Sequence, residues 1–82
     1  MTIPDIYAEL TSVFRDVFDD DTLTIAPETT AADVPNWDSR AHVALIVATE
    51  MRFGIRFRAS EFGKLANVGE FVSLIARKLA TA

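Results

Sequence analysis

Asp38-Ser39 closes a segment rich in Thr, Asp and Pro and opens an apolar one, which puts a serine hydroxyl at the start of a helix. Unpaired backbone N–H groups and the positive end of the helix dipole make such a place hospitable to a phosphate. A phosphodiester on Ser39 would be well sited there. The same pair also reads as an ordinary N-cap with no further role. His42 lies three residues after Ser39 on the same helical face, with Asp38 adjacent, so the side chains of a hydrolytic triad are present. Asp38 and His42 have no evident way to bond each other as orienter and base, and no oxyanion hole is identifiable. His42 therefore reads as an exposed helix histidine. From Asp19, Asp20 and Asp21 the sixth residue is Thr24, Ile25 or Ala26 and the twelfth Thr30, Ala31 or Ala32, so the Gly and Glu of an EF-hand loop are missing. No metal site is expected. Arg52, Arg56 and Arg58 lack the interleaved exposed aromatics of a nucleic-acid surface and suit an acidic protein partner better.

These residues are placed by helices and one long loop. Ile3, Ile6, Tyr7, Leu10, Val13, Phe14, Val17 and Phe18 recur at three- and four-residue steps, which predicts a helix from about Pro4 to Phe18 capped by Thr2. The acids Asp19–Asp21 stop it, because negative charge opposes the dipole at a helix C-terminus. Asp19 to Trp37 has no period and contains Pro27 and Pro35. It reads as a loop pinned by Leu23, Ile25, Val34 and Trp37. A second helix runs from Asp38 or Ser39 to about Phe53, ended by Gly54. Its run of apolar residues places it centrally or gives it an apolar flank for something else. Ile55–Arg58 alternates but has no partner strand, so it reads as an extended connection. Ser60–Leu65 reads as one short capped turn, and Asn67 with Glu70 as a variant capping box for a last helix. The expected fold is all-α, a small four-helix bundle of three main helices and one short one, in a single domain over residues 1–82.

Composition narrows the function. With 82 residues, 50% of them hydrophobic and 24% charged, the chain is globular and too small for a deep enzyme cleft as well as a core. It has no cysteine, so disulfides, thiolate metal sites and a cysteine nucleophile are excluded. A net charge of −4 argues against nucleic acid. That charge is uneven: residues 1–41 carry −7 and residues 42–82 carry +3. Met1–Asp5 lacks the start of a signal peptide, and the longest apolar run, Val43–Ala48, is far short of the ~20 residues that span a bilayer. A cytoplasmic monomer with no membrane span is expected.

Trp37-Asp38-Ser39, Val43, Leu45-Ile46, Glu50, Phe53-Gly54-Ile55, Phe57, Leu65, Asn67-Val68 and Phe71 together resemble the acyl carrier protein family over nearly the whole chain. The most specific part is Asp38-Ser39 followed at fixed distance by Glu50-x-x-Phe53-Gly54-Ile55. The resemblance implies that Ser39 accepts 4′-phosphopantetheine from coenzyme A through a magnesium-using phosphopantetheinyl transferase, with Asp38 and Arg40 beside it. The arm's thiol would hold acyl, aminoacyl or polyketide groups as thioesters, which would bring thiol chemistry to a cysteine-free chain. It also implies a place near an acyl chain for Leu45, Ile46, Thr49, Phe57 and Ile75, all of which read equally well as core.

Three departures from the family stand out. Arg40 replaces an apolar residue directly after the serine. Ala44, Met51 and Arg52 occupy positions where acids are frequent, with Arg56 and Arg58 following. Thr49 replaces a large apolar residue. The first two make Arg40, Ala44, Met51, Arg52, Arg56 and Arg58 the candidate partner surface, unsuited to enzymes that recognise acid. Two functions result. One is a stand-alone, non-catalytic carrier modified on Ser39, a phosphoprotein serving fatty acid, lipid or secondary-metabolite biosynthesis together with acyl-loading and transfer or synthase enzymes. The alternative is an unmodified carrier-like adaptor that binds proteins through its basic second half.

Overall fold

The computed structural model describes residues 1–63 and 65–81. Among them are four α-helices, α1 (Ile3–Phe18), α2 (Ser39–Phe53), α3 (Ala59–Phe62) and α4 (Val68–Thr81), with no strand. No helix among the described residues is long and apolar enough to cross a membrane.

Each long helix has a chemical reason to begin where it does. Thr2 Oγ1 accepts from Asp5 N–H at 3.3 Å while the Asp5 carboxylate accepts from Thr2 N–H at 3.0 Å, a complete capping box. These bonds to Thr2 favour the charged form and hold the Asp5 carboxyl below its ordinary value. Asp19 ends α1 in the left-handed region at φ 51°. Arg15 then reaches from the last turn of α1 to the Leu23 carbonyl at 2.8 Å and pulls the loop back onto the helix.

The loop between α1 and α2 is more ordered than its sequence suggested. Thr30 and Asp33 bond to each other and close a 3-10 turn over Ala31–Asp33. Val34 is buried, and Leu23, Ile25 and Trp37 pack on the core as expected. The loop also caps α4: the Pro27 and Thr29 carbonyls accept from the N–H groups of Gly69 and Val68 at 2.8 and 2.9 Å. That approach needs glycine, since a Cβ on Gly69 would sit 3.0 Å from the Pro27 oxygen. The expected capping box at Asn67 is half present. Asn67 Oδ1 accepts from Glu70 N–H, but the Glu70 carboxylate takes the N–H of Ala66 instead of Asn67.

Ile6, Leu10, Val13 and Phe14 of α1 are buried against Leu45 and Ile46 of α2 and Val68, Phe71, Val72 and Ile75 of α4. α1 packs on both other long helices. Thr49, the one buried polar side chain among the described residues, is satisfied within its own helix, donating to the Leu45 carbonyl at 2.7 Å. Gly54 ends α2 at φ 67°, and the Glu50 carboxylate then accepts from Phe57 N–H at 2.7 Å. That bond fixes Ile55–Arg58 as the extended connection it was expected to be.

The short turn expected over Ser60–Leu65 appears as α3, one residue earlier, with Lys64 outside the described residues. α3 has no buried residue and is held by polar ties. Glu61 pairs with Lys78 of α4 at 2.8 Å and accepts from Arg58 N–H, and in that order these lower its pKa.

Candidate functional site

Ser39 is the first residue of α2 and is exposed. Asp38 caps the helix, its carboxylate accepting from Ala41 N–H at 2.9 Å. The first N–H groups of a helix have no partner within it, so the backbone at Ser39 and Arg40 presents donors and a positive dipole end to whatever the serine bears. Asp38→Ala should lower stability by about 1 kcal/mol while Asp38→Asn, which can still cap, should not. Thermal melts of the two variants check this.

The residues before the cap are tied by a turn and by ring contacts. Asn36 turns the chain at φ 70°, and Asp38 N–H bonds back to the Asn36 carbonyl. Trp37 then wedges against Phe14, ring centroids 5.3 Å apart at 79°, and against Phe18 at 6.0 Å. Edge-to-face aromatic contacts of this kind hold both position and orientation. The serine is delivered from a fixed mount.

An open cleft of about 510 Å³ surrounds it, lined by Ala31, Trp37, Asp38, Ser39, His42 and Val43. Adjoining the cleft is a smaller, partly open pocket of about 80 Å³ that shares Ala31, Trp37 and His42 with it and is also lined by Leu65, Ala66, Asn67 and Phe71. His42 is not the exposed histidine its position suggested. It is partly buried, its Nδ1 accepts from Trp37 Nε1–H at 3.2 Å, and its Nε2 lies 3.2 Å from the Phe62 carbonyl. The imidazole nitrogen that a triad would turn to Asp38 is occupied by Trp37, and Asp38 is occupied by Ala41. Hydrolytic chemistry through these three residues has no geometry to work with. No cluster of side chains among the described residues could hold a metal ion.

No protein-family model matches this chain, and no curated protein does. The solution structure of a holo acyl carrier protein from Geobacter metallireducens does match, with a TM-score of 0.86 and 44% identity over 92% of this chain and 86% of that one. The chain belongs to the acyl carrier protein family. The small helical bundle around Ser39 is thus the fold of a carrier protein.

Within this carrier protein, the residues expected near an acyl chain divide. Leu45, Ile46, Thr49 and Ile75 are buried in the core, and Phe57 packs on Phe71 with centroids 5.7 Å apart. None of the five lines the cleft or the cavity beside Ser39. The residues expected to meet partners, Arg40, Ala44, Met51, Arg52, Arg56 and Arg58, are all exposed. Arg52 is engaged by Glu9 of α1 at 2.6 Å, an exposed pair worth at most about 1 kcal/mol. Val43 and Val47 were missed. They are 56% and 48% exposed and, with Met51 at 77%, form a stripe at four-residue steps along α2. The spacing was legible, but which face of an all-apolar helix points outward depends on packing.

Proposed function

We propose that this acyl carrier protein bears 4′-phosphopantetheine on Ser39 and carries acyl or related groups as thioesters between enzymes of fatty acid, lipid or secondary-metabolite biosynthesis. The observation that carries the reading is an exposed serine at the N-terminus of α2, in a framework that matches a holo acyl carrier protein. In the attachment step the Ser39 hydroxyl oxygen attacks the β-phosphorus of coenzyme A and the P–O bond to the α-phosphate breaks. 3′,5′-ADP leaves, and the serine proton passes to a base of the transferase. Magnesium held by the transferase would supply charge neutralisation at the pyrophosphate. On this reading the N-terminus of α2 receives the resulting phosphodiester, and the exposed Arg40 either pairs with it or repels a transferase that docks through basic residues. The arm supplies the thiol that the chain lacks.

The chain works as one carrier domain, a cytoplasmic monomer, and it is the substrate of its enzymes, not a catalyst. Incubation with coenzyme A, magnesium and a phosphopantetheinyl transferase should add one arm to the peptide containing Ser39. Failure with several transferases would refute this.

The docking face supports a further point. Arg40, Val43, Ala44, Val47 and Met51 are exposed on α2 beside Ser39, and no acid lies among them. Enzymes that meet this face must bury apolar surface and tolerate a cation. The rate constant kcat/KM for a true partner should therefore change less than about twofold between roughly 0.05 and 0.5 M salt, and Val47→Glu should lower it at least tenfold. Steep loss of rate with salt would mean that charge, and not this stripe, governs docking. The same face is what favours the second reading, an unmodified adaptor. Stable partner binding that is indifferent to Ser39→Ala would support that alternative.

A further inference from the structure

An open groove of about 300 Å³ lies between α1 and α2 and shares no residue with the cleft around Ser39. Val13, Ala48 and Met51 give it an apolar lining, and Asp16 and Arg52 are its charged residues. Met51 is 77% exposed and lies about 18 Å from Ser39 along α2, at about 1.5 Å of rise per residue. Because Arg52 is held by Glu9, the charge left to the groove is that of Asp16.

The wall that α1 contributes is acidic. Asp5, Glu9, Ser12 and Asp16 follow at four- and three-residue steps and so share one face of the helix, and Asp19 continues the row past the last turn. Asp16 and Asp19 stand at the negative end of the α1 dipole, where a carboxylate costs stability. No ion pair of either is seen among the described residues. Arg15, the base of that turn, is turned to the Leu23 carbonyl. Carboxylates that weaken the fold and find no base within it are suited to a cation from outside.

We propose that the α1–α2 groove is a second docking surface, for a basic amphipathic helix of a partner protein. An apolar side chain of that helix enters the groove against Met51, and Lys or Arg beside it meets Asp16 and Asp19. The two faces of the carrier then select different partners. The stripe beside Ser39 offers Arg40 and no acid, whereas α1 offers a row of acids whose one ion pair, Glu9 with Arg52, is already made. A helix seated in the groove leaves Ser39, Val43 and Val47 open, so the partner holds the carrier while an enzyme works on the arm. The binding needs no arm.

The test titrates the full chain, with and without the arm, with a synthetic amphipathic peptide about four turns long that carries leucines on one face and lysines beside them. Amide shifts should centre on Val13, Asp16, Ala48 and Met51 in both forms. The affinity should fall at least about tenfold between roughly 0.05 and 0.5 M salt. Asp16→Asn combined with Asp19→Asn should weaken binding at least about tenfold. The same variant should raise the Tm by about 2 °C or more, since both charges oppose the dipole and asparagine suits the left-handed backbone at Asp19. Lost binding with a gain in Tm separates docking from a structural role. A glutamate version of the peptide that binds equally well overturns the proposal. So do shifts centred on Glu28, Glu61 and Glu70 of the separate groove along α4, or an unchanged affinity in the double variant. Self-association without peptide that the double variant removes would give the groove to Arg56 and Arg58 of a second copy and overturn the choice of partner. A chain that takes the arm but not the peptide ends this proposal alone and leaves the reading of Ser39 standing.

Discussion

Phe14→Ala should lower the melting temperature by at least about 12 °C and shift Trp37 emission to the red. Phe14 is fully buried in α1 and touches Phe18 and Trp37, with ring centroids at 5.9 and 5.3 Å. Truncating such a ring costs about 3–5 kcal/mol through lost burial and the cavity left behind. A domain of this size has a total stability of only about 4–12 kcal/mol, and each kcal/mol moves its midpoint by about 4–8 °C. The effect should reach the site as well as the core, because Trp37 immediately precedes the Asp38-Ser39 pair. A melt shifted by only a degree or two, with Trp37 emission unchanged, would show that the aromatic wedge does not seat the entrance to α2. Phe14→Leu, which refills most of the volume, should recover most of the loss.

Ser39→Ala should abolish attachment of the arm completely while leaving the fold intact. The side chain is exposed, and no bond from its hydroxyl to another described residue is seen. Asp38 continues to cap α2, and alanine is at least as good a helix former as serine. The melting temperature should therefore stay within about 2 °C of wild type, in line with surface substitutions that disturb no special feature. The separation of the two readouts matters. An arm found on the alanine variant would place the modification elsewhere, and unfolding of the variant would make Ser39 structural.

What the sequence made legible was local. Thr2 with Asp5, Asp38 with Ala41 N–H, and Gly54 in the left-handed region each involve residues within four positions, and each sets a helix end where expected. The apolar stripe of α1 faces the core as its spacing predicts. The 3-10 turn at Ala31–Asp33 went unread although Thr30-x-x-Asp33 is itself a local capping signal, because no apolar period accompanied it.

What escaped was long-range. Arg52 finds Glu9 across 43 positions, His42 finds the Phe62 carbonyl across 20, and the Pro27 and Thr29 carbonyls cap a helix some 40 residues away. Each pairing exists only once the helices are packed. This bears most on the site, since reading His42 as exposed concealed its contacts with Trp37 and the Phe62 carbonyl beside Ser39. It bears also on charge. The basic second half seen in the sequence is real, but Arg52 is committed to α1 and Lys78 to α3. The surface next to Ser39 is consequently apolar with a cation at its head, which points to partners different from those that read acid.

The central claim is that Ser39 carries the arm in the cell. Intact mass of the protein isolated from its own source tests this most directly. The account predicts a chain heavier than its sequence by one phosphopantetheinyl group, alone or acylated, with the added mass on the peptide containing Ser39. A population wholly at the sequence mass, bound to a stable protein partner, would contradict it and favour the adaptor.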